Sequence, residues 1–140
     1  MPTSATLNGV HRYWPDKDWP DLYQMFDELL ASVEHHPDLR VSHQISGNGL
    51  GYEVDANAPI VEALRGAYHY VVGRTLPLVG GLSVSDVNVI AREAGIPVLG
   101  HGTGSTTSHA DLEWVEVAGI VRAAKVYLAT ILSYLGVAED

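Results

Sequence analysis

Ile96-Pro97-Val98-Leu99 runs directly into Gly100-His101-Gly102-Thr103-Gly104-Ser105-Thr106-Thr107-Ser108-His109, and the fold class turns on how this junction is read. The first four residues are too few for a helix and apolar on both faces, the pattern of a strand covered on both sides in a parallel sheet. Pro97 works against a central position, because proline donates no ladder hydrogen bond. The ten residues that follow contain only Gly, His, Ser and Thr. In sheet-centred folds, loops leaving the C-terminal ends of strands line the ligand crevice, and small residues let backbone amides approach a ligand or metal. A plain surface connection is the competing reading.

Helical patterns flank this junction. Val117, Ile120, Val121, Ala124, Tyr127, Leu128, Ile131 and Leu135 give a wide apolar face over nearly five turns, roughly 27 Å at the standard rise. That face reads as core needing a large partner surface. Upstream, Asp86 to Ala94 reads as a brief helix closed by Gly95, and Ile60, Leu64, Ala67 and Val71 recur at helical spacing from Pro59 until Gly73. Nearer the N-terminus, Asp18, Pro20 and Asp21 mark a helix start. Leu22, Phe26, Leu29 and Val33 lay one apolar stripe on that helix, which His35, His36 and Pro37 would end. Leu39, Val41, His43 and Ile45 alternate with Arg40, Ser42 and Gln44, the two-residue period of a half-covered strand. A Gly/Asn run from Gly47 to Gly51, followed by the segment from Asp55 to Pro59, separates two regions with a boundary near Asn57. Helices interleaved with strands predict an α/β fold.

Composition bounds the function. The chain has 140 residues, 8 basic and 17 acidic, for a net charge of −9. Such a surface repels phosphate backbones and anionic lipid, so nucleic-acid and membrane partners are not expected. Zero cysteines exclude disulfides, thiolate nucleophiles and Cys-type zinc sites, leaving His, Asp or Glu for any metal. With no leader-like start and no run of about 18 apolar residues expected to span a bilayer, the reading is a cytoplasmic protein. Gly100, Gly102 and Gly104 have the wrong spacing for a dinucleotide loop, and Ser85, Asp86 and His109 lack the Gly-x-Ser-x-Gly elbow of a hydrolase triad.

Ser85-Asp86-Val87-Asn88, Gly95-Ile96-Pro97-Val98, Gly102-Thr103-Gly104, His109-Ala110-Asp111-Leu112-Glu113 and a long closing helix stand in an ordered series. In that series the chain resembles the C-terminal part of the dinuclear zinc amidohydrolases and exopeptidases that include acetylornithine deacetylase, succinyl-diaminopimelate desuccinylase and tripeptide aminopeptidase. Arg12-Tyr13-Trp14-Pro15 is similar to the Arg-x-x-Pro that ends a strand of that family's inserted lid. The resemblance implies that residues 1–57 are the second half of a lid, or dimerisation, domain. Residues 58–140 would be the C-terminal portion of a zinc-peptidase catalytic domain.

By the same resemblance His109 would bind one of two zinc ions, with cobalt or manganese as alternatives. Asp86 and Glu113 would be supporting groups that orient the site, and Asn88, Gly102 and Gly104 would face an N-acyl amino acid or small peptide. Thr103 and Ala110 stand where relatives carry Pro and Thr. The family's remaining metal ligands and its general base belong to an N-terminal half, so no catalytic residue is expected here. A lone copy should hydrolyse nothing without that missing half or a homodimer partner. The alternatives are a non-catalytic dimerisation or interaction module derived from the family, and a bare fragment. His101 reads as a solvated loop residue.

Overall fold

The computed structural model describes residues 4–33, 38, 40–47, 51–81, 83–105 and 107–137. Four helices form: α1 (Trp19–Val33), α2 (Pro59–Val72), α3 (Asp86–Glu93) and α4 (Val117–Leu135). Each lies where apolar spacing predicts it. Pro59 sits in the first turn of α2, and Gly73 ends that helix with φ 75°, its N–H returning to the carbonyl of His69. Gly95, just beyond α3, also has a positive φ of 64°. The start of α1 differs in detail: the Asp18 N–H donates to Asp21 Oδ2 at 3.0 Å, while the Asp18 carboxylate is engaged by Arg92 Nη2 at 2.8 Å. His35, His36 and Pro37 lie outside the described residues.

The expected α/β fold is not what forms: among the described residues all regular structure is helical and there is no strand. Residues 40–45 and 96–99 run without regular structure. The physical reason is that a strand exists only through its neighbours. Two-residue alternation and apolar character prepare a segment for a sheet, but a ladder needs a second segment to exchange N–H and C=O bonds with. Among the described residues neither segment forms a regular ladder with another. Leu99 instead packs its side chain on the helical core.

That core is the seam between α2 and α4. Leu64 and Ala67 of α2 meet Val126 of α4, which is 0% exposed, and Tyr68, Val71, Val72, Leu76, Leu99 and Ala129 close around them. The face that α4 turns inward is built from Gly119, Ala123, Val126 and Thr130, spaced three and four residues apart. Such small side chains let two helix backbones approach closely. The buried Thr130 hydroxyl is satisfied by donating to the Val126 carbonyl at 2.8 Å. Val117, Val121, Leu128, Ile131 and Leu135 lie on the opposite side of α4 and are exposed.

The N-terminal region forms a second, smaller cluster. Leu22 of α1 is buried, and Phe26 packs against the rings of His11 and His43. The Tyr23 hydroxyl donates to the Ile45 carbonyl at 3.2 Å, tying residues 40–47 to α1. The total surface is 11512 Å², against about 7100 Å² for a compact monomer of this mass. Extended segments outside the helices and the outer face of α4 account for the excess in kind. The expectation that no segment is long and apolar enough to cross a bilayer also fails, since α4 meets that test by length and composition.

Candidate functional site

The small-residue junction folds in two parts. Its first part, residues 100–104, is laid over the α2–α4 pair. The His101 ring stands edge-to-face with Tyr68 of α2 and with Tyr127 of α4, at centroid distances of 5.7 and 5.8 Å. The Tyr127 hydroxyl donates to the His101 carbonyl. Burial between the tyrosines lowers the His101 pKa from its ordinary value, because the charged imidazolium would lose water there. His101 is thus a fastener of the loop and not the solvated residue that composition suggests. Two residues on, Thr103 covers Gly119, with its Cβ 3.6 Å from where a Gly119 side chain would begin.

The second part is a loop closed by its own hydroxyl groups. Thr107 Oγ1 accepts the Trp114 N–H at 3.1 Å and lies 3.2 Å from the Trp114 carbonyl oxygen. Ser105 Oγ reaches the same carbonyl at 3.2 Å and accepts the Thr107 N–H at 3.1 Å. One hydroxyl proton from each residue is enough to satisfy the carbonyl and the 3.0 Å contact between the two oxygens. Inside this clasp the Ala110 N–H donates to the Thr107 carbonyl at 3.0 Å. His109 sits on the resulting turn with φ 65°, and among the described residues no other non-glycine has a positive φ. Histidine tolerates that region better than most residues but still at a cost, so the surrounding contacts hold it there.

Glu113 is one of those contacts: its Oε2 accepts the His109 backbone N–H at 3.4 Å. The carboxylate thus touches the main chain of His109. The imidazole itself is exposed. Asp86 opens α3 and is also exposed. Asn88, expected to face substrate, is 7% exposed, and its Oδ1 accepts the Ser85 N–H at 3.2 Å across the first turn of α3. It serves there as a helix-capping group. Gly102 and Gly104 are exposed, and with His101 and Asn88 they lie along the open space shared by most segments between Ser4 and Gly104. Gly104 has φ 69°, a conformation that favours glycine.

Among the described residues no three His, Asp or Glu side chains converge as a metal site would require. A zinc ion at a catalytic centre takes three protein ligands and water. The letters His-x-Asp do occur, at His109-Ala110-Asp111 and at His36-Pro37-Asp38. The first pair has both members exposed, and Glu113 beside it meets the His109 backbone without completing a three-ligand cluster, while the second lies partly outside the described residues. The described residues of this chain therefore do not by themselves fit a zinc ion. The sequence reading missed the Thr107–Trp114 clasp and the tyrosine pair around His101. The density of Ser and Thr after Gly104 was a signal for the former, because such hydroxyls bond to nearby backbone; nothing local signals the latter.

In comparisons with known proteins, no family model matches the chain, no curated protein matches it, and no solved structure matches it.

Proposed function

We propose that this chain is the C-terminal part of a zinc-dependent amidohydrolase or peptidase that cleaves the amide bond of N-acyl amino acids or short peptides. On this reading it is inactive alone and works with a second polypeptide that brings the other metal ligands and the general base. The observation that carries the reading is His109: an exposed imidazole held on a left-handed turn by the Glu113 carboxylate and the Thr107 clasp. A strained residue fixed by its neighbours is the kind of feature found where a side chain must be presented in one direction. The ordered series of motifs from Ser85 to Glu113 supplies the reaction class. Because one histidine does not fit a zinc ion, no chemical step is assigned to this chain.

Glu113 acts here as a positioning residue through the backbone of His109. Gly102 and Gly104 remain the residues proposed to face substrate, both being exposed on the loop that follows Leu99. The exposed surface, well above that of a compact monomer, favours a second reading as an interaction module. Zinc titration of the chain with and without a polypeptide bearing the remaining ligands, followed by assay on N-acetylated amino acids, separates the two. Zinc-dependent hydrolysis by the mixture, abolished by His109→Ala, is the expected result. Association without zinc uptake and without hydrolysis would leave only the interaction module.

A further inference from the structure

Asn8-Gly9 stands in the segment without regular structure that precedes α1, and both residues are exposed. Among the described residues neither the Asn8 side chain nor the Gly9 N–H enters a hydrogen bond. A side chain built on Gly9 would meet nothing within 4 Å. The Gly9 nitrogen is therefore open to deprotonation, and no Cβ hinders its turning onto the side-chain carbonyl carbon of Asn8. The other two described asparagines are held away from this chemistry. Asn57 donates its Nδ2–H and its backbone N–H to Asp55 Oδ1, at 3.2 and 2.8 Å. The nitrogen that would attack it, that of Ala58, donates to the Asp55 carbonyl at 2.9 Å. Asn88 is 7% exposed and caps α3, and the nitrogen after it belongs to the β-branched Val89 within that helix. A second Asn-Gly pair, Asn48-Gly49, lies outside the described residues.

We propose that Asn8 is a modification site, converting spontaneously to aspartate and isoaspartate through a cyclic imide. The Gly9 nitrogen gives its proton to water or a buffer base and bonds to Asn8 Cγ. The side-chain nitrogen takes up a proton and leaves as ammonia, closing a five-membered succinimide ring. Water then adds to either ring carbonyl. Opening at the side-chain carbonyl leaves an ordinary backbone and a new side-chain carboxylate. Opening at the main-chain carbonyl leaves the carboxylate on Cα and carries the chain through the former side chain, one methylene longer. In sum one amide and one water become one carboxylic acid and one ammonia, and nothing is oxidised or reduced. Either product makes the net charge of −9 one unit more negative. The first ring contacts of this segment come after the modified bond, at His11 with Tyr13 and Phe26, so the change leaves α1 and its packing in place.

The test is to age the full chain in mildly alkaline buffer, natively and in urea, and to digest samples with trypsin over time. Cleavage after Arg12 releases residues 1–12, in which Asn8 is the sole amide side chain, so mass spectrometry reads its replacement by an acid directly. A protease that cuts before aspartate and not before isoaspartate then separates the two products. In the native chain Asn8 should convert at least roughly tenfold faster than Asn57 or Asn88. Because its segment is already open, its native rate should lie within about threefold of its rate in urea. Gly9→Val, which sets a β-branched side chain beside the attacking nitrogen, should slow conversion roughly tenfold or more, with unchanged far-ultraviolet circular dichroism. A native rate further than that below the urea rate would show the segment closed and overturn the proposal. So would conversion of Asn8 no faster than that of Asn57, or a rate indifferent to Gly9→Val.

Discussion

Replacing Thr107 by valine keeps the shape of the side chain and removes its hydroxyl, which isolates the clasp from packing. Two bonds end on Trp114, one from its N–H at 3.1 Å and one at its carbonyl at 3.2 Å. Only the first is lost outright, since Ser105 Oγ also reaches the carbonyl. One net hydrogen bond at a partly exposed site contributes about 1 kcal/mol, water replacing part of what is lost. By RT of about 0.59 kcal/mol this opens the loop roughly fivefold more often. Amide hydrogen exchange followed by NMR should show the Trp114 N–H exchanging about five times faster in Thr107→Val. The backbone coupling constant of His109 should drift toward a value averaged over several conformations. Thr107→Ser should restore both. Unchanged Trp114 exchange in the valine variant would refute the clasp, and with it the view that residues 105–114 hold His109 in place.

Three further outcomes follow from the packing. Val126→Ala empties the centre of the α2–α4 seam and should cost about 2–3 kcal/mol, read as a lower urea midpoint at unchanged slope. Gly119→Ala should stabilise α4 by about 0.5–1 kcal/mol in thermal unfolding, because the new methyl meets Thr103 at an ordinary 3.6 Å and the helix loses a flexible residue. For His101 the folded pKa lies below the ordinary 6.5, so the unfolded chain takes up the proton first. Its contribution is complete above pH 6.5 and falls away as pH drops through the lowered folded value. His101→Phe should flatten that acid-side decline in urea stability relative to the parent.

The helices were legible because each is specified by its own residues. The stripe from Leu22, the pair Pro59 and Gly73, the short run closed by Gly95 and the apolar face from Val117 all encode local periodicity and termini. The strands were not, because Val41 to Ile45 and Ile96 to Leu99 encode only a readiness to pair, and pairing is decided by another segment. The site divided along the same line. His109 and Glu113 were singled out by the family resemblance alone, and their contact through the backbone N–H is local because they lie four residues apart. Tyr68 and Tyr127 reach His101 only because α2 and α4 pack, a tertiary fact with no local trace. Asn88 carries a helix cap that the sequence did not announce, because a buried cap and a substrate-facing amide look alike in a sequence.

The division of labour on α4 separates two properties that usually change together. Its glycine, alanine and threonine side hold the architecture, whereas its leucine and isoleucine side holds nothing within one chain. Polar replacements along the outward side should therefore make single chains easier to keep in solution at little expense to their folding. A library varied on the two sides independently would show solubility and thermal resistance changing as unrelated traits.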